Sequence, residues 1–144
     1  MPSGNLAATP GATNSVAATL PPFPPVWLNE VQVANVTGAF DNAGQRDPWV
    51  EIYNAGTNSF NLAGYYLTDT YTNLTKWAIP PTASVTTSNF LVVWCDAQTG
   101  QSIVSAPHAS FRLTNSFGQL ALTRITNGGP QIVDYLNYTN LPSD

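Results

Sequence analysis

From Val26 onward, apolar and aromatic residues come in short runs rich in Val, Ile, Tyr, Phe, Trp and Thr, separated at close intervals by Gly, Pro, Asn and Asp. That texture is the signature of short strands joined by turns. In WVEIYN (49–54) a period of two sets Trp49, Glu51 and Tyr53 on one face and Val50 and Ile52 on the other. In QLALTRI (119–125) Leu120, Leu122 and Arg124 alternate with Ala121, Thr123 and Ile125, so one face is expected to be wetter than the other. The pattern predicts strands over 26–33, 49–54, 59–62, 65–68, 76–79, 90–95, 110–113, 119–125 and 131–136. No segment keeps a 3.6-residue apolar period over about eleven positions, so helix content is expected near zero. The last two runs are joined by TNGGP (126–130), the clearest hairpin in the chain, because Asn-Gly-Gly accepts positive φ. The fold class that follows is all-β, a sandwich of two antiparallel sheets built from about eight or nine short strands.

Ahead of this region the chain is poor in strand-forming residues. Residues 1–25 are mostly Ala, Thr, Ser, Asn and Pro and run into LPPFPPV (20–26), a composition that neither packs a core nor continues a helix. It reads as an extended, semi-rigid linker. The expected organisation is a linker over 1–25, one domain over 26–140 and a short tail over 141–144. MPSGNLAATP lacks a basic start and a continuous apolar stretch, so a signal peptide for export is expected elsewhere.

Composition narrows the function classes. Only 8% of the residues are charged, against roughly 25% in an ordinary soluble domain. Solubility therefore rests on hydroxyl and amide side chains, a surface common on secreted modules. A net charge of −4, with four scattered basic residues (Arg46, Lys76, Arg112 and Arg124), argues against nucleic acid as a partner. The apolar runs are far shorter than the roughly 20 residues of a membrane-spanning helix, so no direct membrane insertion is expected. Cys95, the only cysteine, lies within FLVVWC and reads as a buried small hydrophobe.

The ordered set NEVQ (29–32), DPWVEIYNAG (47–56), FNLAGYYLTD (60–69), LTKWAIP (74–80), FLVVWCD (90–96), HASFRLTNSFGQLALTR (108–124) and IVDYLNY (132–138) resembles the lamin-tail domain, over residues 27 to about 138. The resemblance implies an immunoglobulin-like sandwich with no catalytic residues. It also implies a context, since the bacterial members sit as modules in large secreted or surface proteins, often beside hydrolases. The chain has no coiled-coil heptad, which sets it apart from the filament-forming members.

Candidate chemistry is sparse. Asp41 and Asp47 share the loop DNAGQRD (41–47), and with Glu51 they are the candidates for a calcium site. The EF-hand spacing fails, because the twelfth position from Asp41 is Ile52. The structural alternative has Asp41 and Asn42 bonding their own backbone, Gly44 at positive φ, and Arg46 neutralising Asp47 or Glu51. One Cys and one His cannot fill three or four ligand positions, so no zinc site is expected. His108 is the only histidine, follows Pro107, and has no serine elbow beside it, so no catalytic residue and no cofactor is expected. The four Trp, six Tyr and six Phe raise the possibility of sugar stacking. All four Trp are expected in the core, leaving Tyr66, Tyr71 and Tyr138 as candidate ligand residues. The leading expectation is a non-catalytic adhesion or spacer module of a larger secreted or cell-surface protein, its partners being neighbouring domains or an extracellular protein or glycan. The alternative is a carbohydrate-binding module appended to an extracellular hydrolase.

Overall fold

The computed structural model describes residues 22–144, so most of the linker expected over 1–25 lies outside the described residues. The strands are β1 (Val26–Gln32), β2 (Trp49–Asn54), β3 (Phe60–Asn61), β4 (Tyr65–Thr68), β5 (Trp77–Ala78), β6 (Ser84–Val85), β7 (Asn89–Trp94), β8 (Phe117–Thr126) and β9 (Gly129–Thr139). They form an all-β fold in which, among the described residues, these strands pair antiparallel, with one isolated parallel bridge from Trp94 to His108. One sheet has the order β1-β2-β7, the other β5-β4-β8-β9, and β3 and β6 make a separate two-stranded ribbon. Among the described residues the only helical segment is the 3-10 turn Thr99–Gln101.

The alternation in β2 explains the core. Val50, Ile52 and Asn54 are buried while Trp49, Glu51 and Tyr53 are only partly so. Val50 and Ile52 join Leu91 and Val93 from β7 against Tyr65, Leu67, Leu120 and Leu122 from the second sheet. Burial of this apolar area is the main term holding the layers together, at about 25 cal/mol per Å² removed from water. Asn54 is fully buried, yet its amide is satisfied: Nδ2 donates to the carbonyls of Asn58 and Val85, and Oδ1 accepts from Gly56 N–H. That residue ties the first sheet to β6 of the ribbon. On the opposite side Asp134, beside an irregularity in the β8–β9 register, accepts from Leu28 N–H at 2.9 Å, where β1 has its own bulge. Each carboxylate or amide thus takes up a backbone group that a bulge or strand end would otherwise leave unpaired.

Several local expectations change. Residues 110–113 form no strand, because the segment meets the chain after β7 irregularly. Ala97 N–H donates to Phe111 O, Leu113 N–H donates to Cys95 O, and Arg112 makes a single bridge with Asp96. The final hairpin is longer than expected, and of its turn residues it is Gly129 that takes positive φ (103°). This matches a turn closed by a left-handed bulge residue. The contrast expected along β8 is also weaker than the alternation suggests, since Ala121 and Thr123 are as buried as Leu120 and Leu122. The loop after β4 covers them, with Thr123 Oγ1 donating to the Leu74 carbonyl. The expectation that all four Trp are core holds for Trp77 and Trp94, which are buried, only in part for Trp49, which is half-buried, and fails for Trp27, which is 41% exposed.

Candidate functional site

The outward face of the three-stranded sheet follows from the register. Trp27 stands opposite Tyr53, and Tyr53 opposite Phe90. Their ring centroids are 5.4 and 4.9 Å apart, with planes tilted by 53° and 38°. The outer two rings are open to solvent, Trp27 at 41% and Phe90 at 46%. The three rings form a twisted aromatic row across the whole width of the sheet, twisted because the strands themselves are.

Beside this row the next cross-strand register places Glu30 opposite Glu51, with Val92 beyond. The bulge between Leu28 and Glu30 inserts Asn29 on the same side, and its Nδ2 donates to Glu51 Oε1 at 2.8 Å. Like charges directly opposite one another destabilise a sheet. A locally unfavourable pair beside exposed rings is the kind of conflict that marks a functional surface. At the far end of the face Trp49 is partly buried and Trp94 is covered, with the ring of His108 stacked on it at 6.4 Å and 28°.

The candidates from the sequence separate in space. Asp41 Oδ1 accepts from Ala43 N–H and Gln45 N–H, and Gly44 has φ +78°, as expected, but Asn42 bonds the Gln101 carbonyl and the His108 ring rather than its own backbone. Arg46 is different: its guanidinium lies over the Phe40 ring at 4.0 Å and donates to Gly38 O. Asp47 is paired instead with Arg112, Nη1 to Oδ1 at 2.7 Å. Arg112 arrives from a segment 65 residues away, a pairing that no local pattern announces. Glu51 lies on the outer sheet face. Asp41, Asp47 and Glu51 therefore have three separate sets of partners.

Among the tyrosines, Tyr66 and Tyr71 are partly exposed on the second sheet's side. Tyr71 Oη donates to Asn137 Oδ1 at 2.8 Å, and its ring meets Tyr135 edge to face. Burial raises the Tyr71 hydroxyl above its ordinary range, with Tyr135 adding to the shift. Tyr138 is a core residue, 7% exposed, packed on Gly118, where an added Cβ would come within 2.3 Å of its hydroxyl. It does not offer a stacking face to a ligand.

A second cluster lies under the loops. His108 is fully buried, with Nδ1 2.7 Å from Asp96 Oδ2 and Nε2 2.8 Å from Asn42 Oδ1. Its backbone lies in a loop and bridges to Trp94, while the ring is fully buried. Asp41, Asp96 and His108 each offer a ligand atom, and these atoms lie within 4.8 Å of one another. Cys95, next in the chain to Asp96, is buried and unpaired, and its thiol is pushed far up by burial, with Asp96 and Asp69 contributing.

The aromatic row was missed because period two identifies which residues share a face but not which face is inward. The His108 cluster was missed because its members come from three loops with no shared spacing. Compared with models of known protein families and with curated protein sequences, the chain matches none.

Proposed function

We infer that this chain is a non-catalytic adhesion module of a larger extracellular or cell-surface protein, and that its ligand is an uncharged glycan held on the outer face of the three-stranded sheet. The observation that carries this reading is the exposed row Trp27, Tyr53 and Phe90 beside Asn29, Glu30 and Glu51. Aromatic faces are electron-rich and attract the weakly positive C–H groups of a sugar ring, and rigid rings give contact area with little loss of conformational freedom. The neighbouring carboxylates and amide supply acceptors and donors for sugar hydroxyls. A negative surface with a net chain charge of −4 disfavours acidic polysaccharides and nucleic acid.

The sparsely charged composition and the resemblance to lamin-tail domains support the extracellular setting. Among the described residues no helix is long and apolar enough to cross a membrane. A second reading places a neighbouring domain on the same face, favoured by the apolar exposure of Trp27 and Phe90. A glycan array probed with the wild type and with a Trp27→Ala, Phe90→Ala double variant separates the two. Binding to neutral glycans that the double variant loses supports the first reading. Absence of binding to every glycan removes it and leaves the second.

A further inference from the structure

We propose that Asp41, Asp96 and His108 form a binding site for one divalent transition-metal ion of the zinc class, a site separate from the aromatic face. The three side chains are 8%, 4% and 0% exposed, and each offers a donor atom within 4.8 Å of the others. Donors around one tetrahedral zinc ion, at about 2.0–2.2 Å from the metal, stand roughly 3.5 Å apart. The cluster reaches that geometry by shifts in both directions: His108 Nδ1 and Asp96 Oδ2, now 2.7 Å apart, open to admit the ion, and the wider separations, up to 4.8 Å, close.

The hydrogen bonds determine what His108 can do. Asn42 Nδ2 donates to the Gln101 carbonyl at 2.9 Å, so the amide presents its oxygen to the ring, and Nε2 must be the donor in the 2.8 Å contact. A ligating histidine is held in this way, one ring N–H tethered to an oxygen while the other nitrogen faces the metal. With Nε2 donating, the 2.7 Å approach of Nδ1 to Asp96 Oδ2 needs a positive species there, either a proton or a cation.

Asp41 decides between them. Its Oδ1 is satisfied by two backbone N–H groups, but its Oδ2 is buried with no hydrogen-bond partner. A proton shared by His108 and Asp96 leaves that oxygen unpaired, and two carboxylates against one proton leave buried negative charge, which is costly. A divalent ion with a neutral imidazole balances both carboxylates and gives the free oxygen a partner. A nitrogen donor beside two carboxylates suits zinc or its neighbours better than calcium, which takes oxygen alone. Asn42, the exposed residue above the ring, marks the side from which an ion and its remaining water ligand would enter. Asp47 takes no part, being held by Arg112 and Gln98.

The test is calorimetric titration of the EDTA-stripped, untagged chain with zinc chloride, with calcium and magnesium chloride as controls, repeated on Asp41→Asn. That variant keeps an oxygen for the two backbone N–H groups and removes the unpaired charge, so it is expected to fold with an unchanged or higher metal-free melting midpoint. The expected result is one zinc per chain, a zinc-dependent rise in midpoint, and at least about tenfold weaker binding in Asp41→Asn. No saturable zinc binding by the wild type, or binding unchanged in Asp41→Asn, overturns the proposal.

Discussion

The side chains that matter most in this molecule are polar groups placed where little water reaches them. His108 and Asp96 are both fully covered, and Nδ1 and Oδ2 face each other at 2.7 Å. Replacing Asp96 by Ala removes one member and leaves the ring nitrogen facing nothing, which costs about 3–5 kcal/mol for a buried pair. Urea unfolding of Asp96→Ala measures this, and a loss below about 1 kcal/mol would show the pair to be energetically idle. Asp144 illustrates the opposite setting. Its exposed carboxylate accepts from Thr37 N–H and Val36 N–H, and these bonds hold it below the ordinary carboxylate range. A carboxyl whose folded value is depressed contributes above its unfolded value and loses that contribution as pH falls through the folded one. The amides of Val36 and Thr37 are therefore expected to lose exchange protection as pH falls through that depressed value, below the ordinary carboxylate range, and Asp144→Ala removes that pH dependence. Amide exchange across pH 2–6 checks both statements. Of these residues the sequence made the Asp41 turn legible, because an Asp followed by Gly three positions later is a local signal. The ion pair of Asp47 with Arg112 and the burial of His108 depend on chain segments far apart, which periodicity does not register.

Strands were legible in proportion to their length and alternation. β2 and β4 lie where the pattern placed them, β7 is shifted by one residue, and β8 and β9 are longer because the hairpin continues past its apolar stretch. Ser84–Val85 went unseen because two residues hold no period, and 110–113 was overread because a run of Phe and Leu in a buried loop looks the same as a strand. The face assignment of aromatic residues was the weaker part. Trp77, opposite Leu67 in the register, is buried in the core, while Trp27 at the edge of its sheet is exposed. Trp77→Ala is thus expected to cost about 3–5 kcal/mol, through lost transfer energy and the cavity left behind. Trp27→Ala is expected to cost under about 1 kcal/mol, as surface changes do. Chemical denaturation of the two variants side by side tests the contrast, and equal losses would mean that Trp27 is packed rather than open.

At the scale of the whole molecule, two sheets and a ribbon enclose one apolar core, and the chemistry is displaced to the outside of one sheet and to the loops at its end. A rigid sheet is a good platform for a binding face, since the strands fix ring spacing without the cost of ordering a flexible loop. The face carries Glu30 against Glu51, a pairing that works against sheet stability, and it leaves Trp27 and Phe90 in water. Burial elsewhere compensates, so the module can keep an unfavourable surface for a ligand. The most direct measurement is native electrophoresis through gels cast with soluble neutral polysaccharides, comparing the wild type with Trp27→Ala, Phe90→Ala and with Tyr66→Ala, Tyr71→Ala. Retardation of the wild type is expected, lost in the Trp27 and Phe90 variant and kept in the Tyr66 and Tyr71 variant. Unretarded wild type in every neutral polysaccharide, or retardation that survives loss of Trp27 and Phe90, would contradict it.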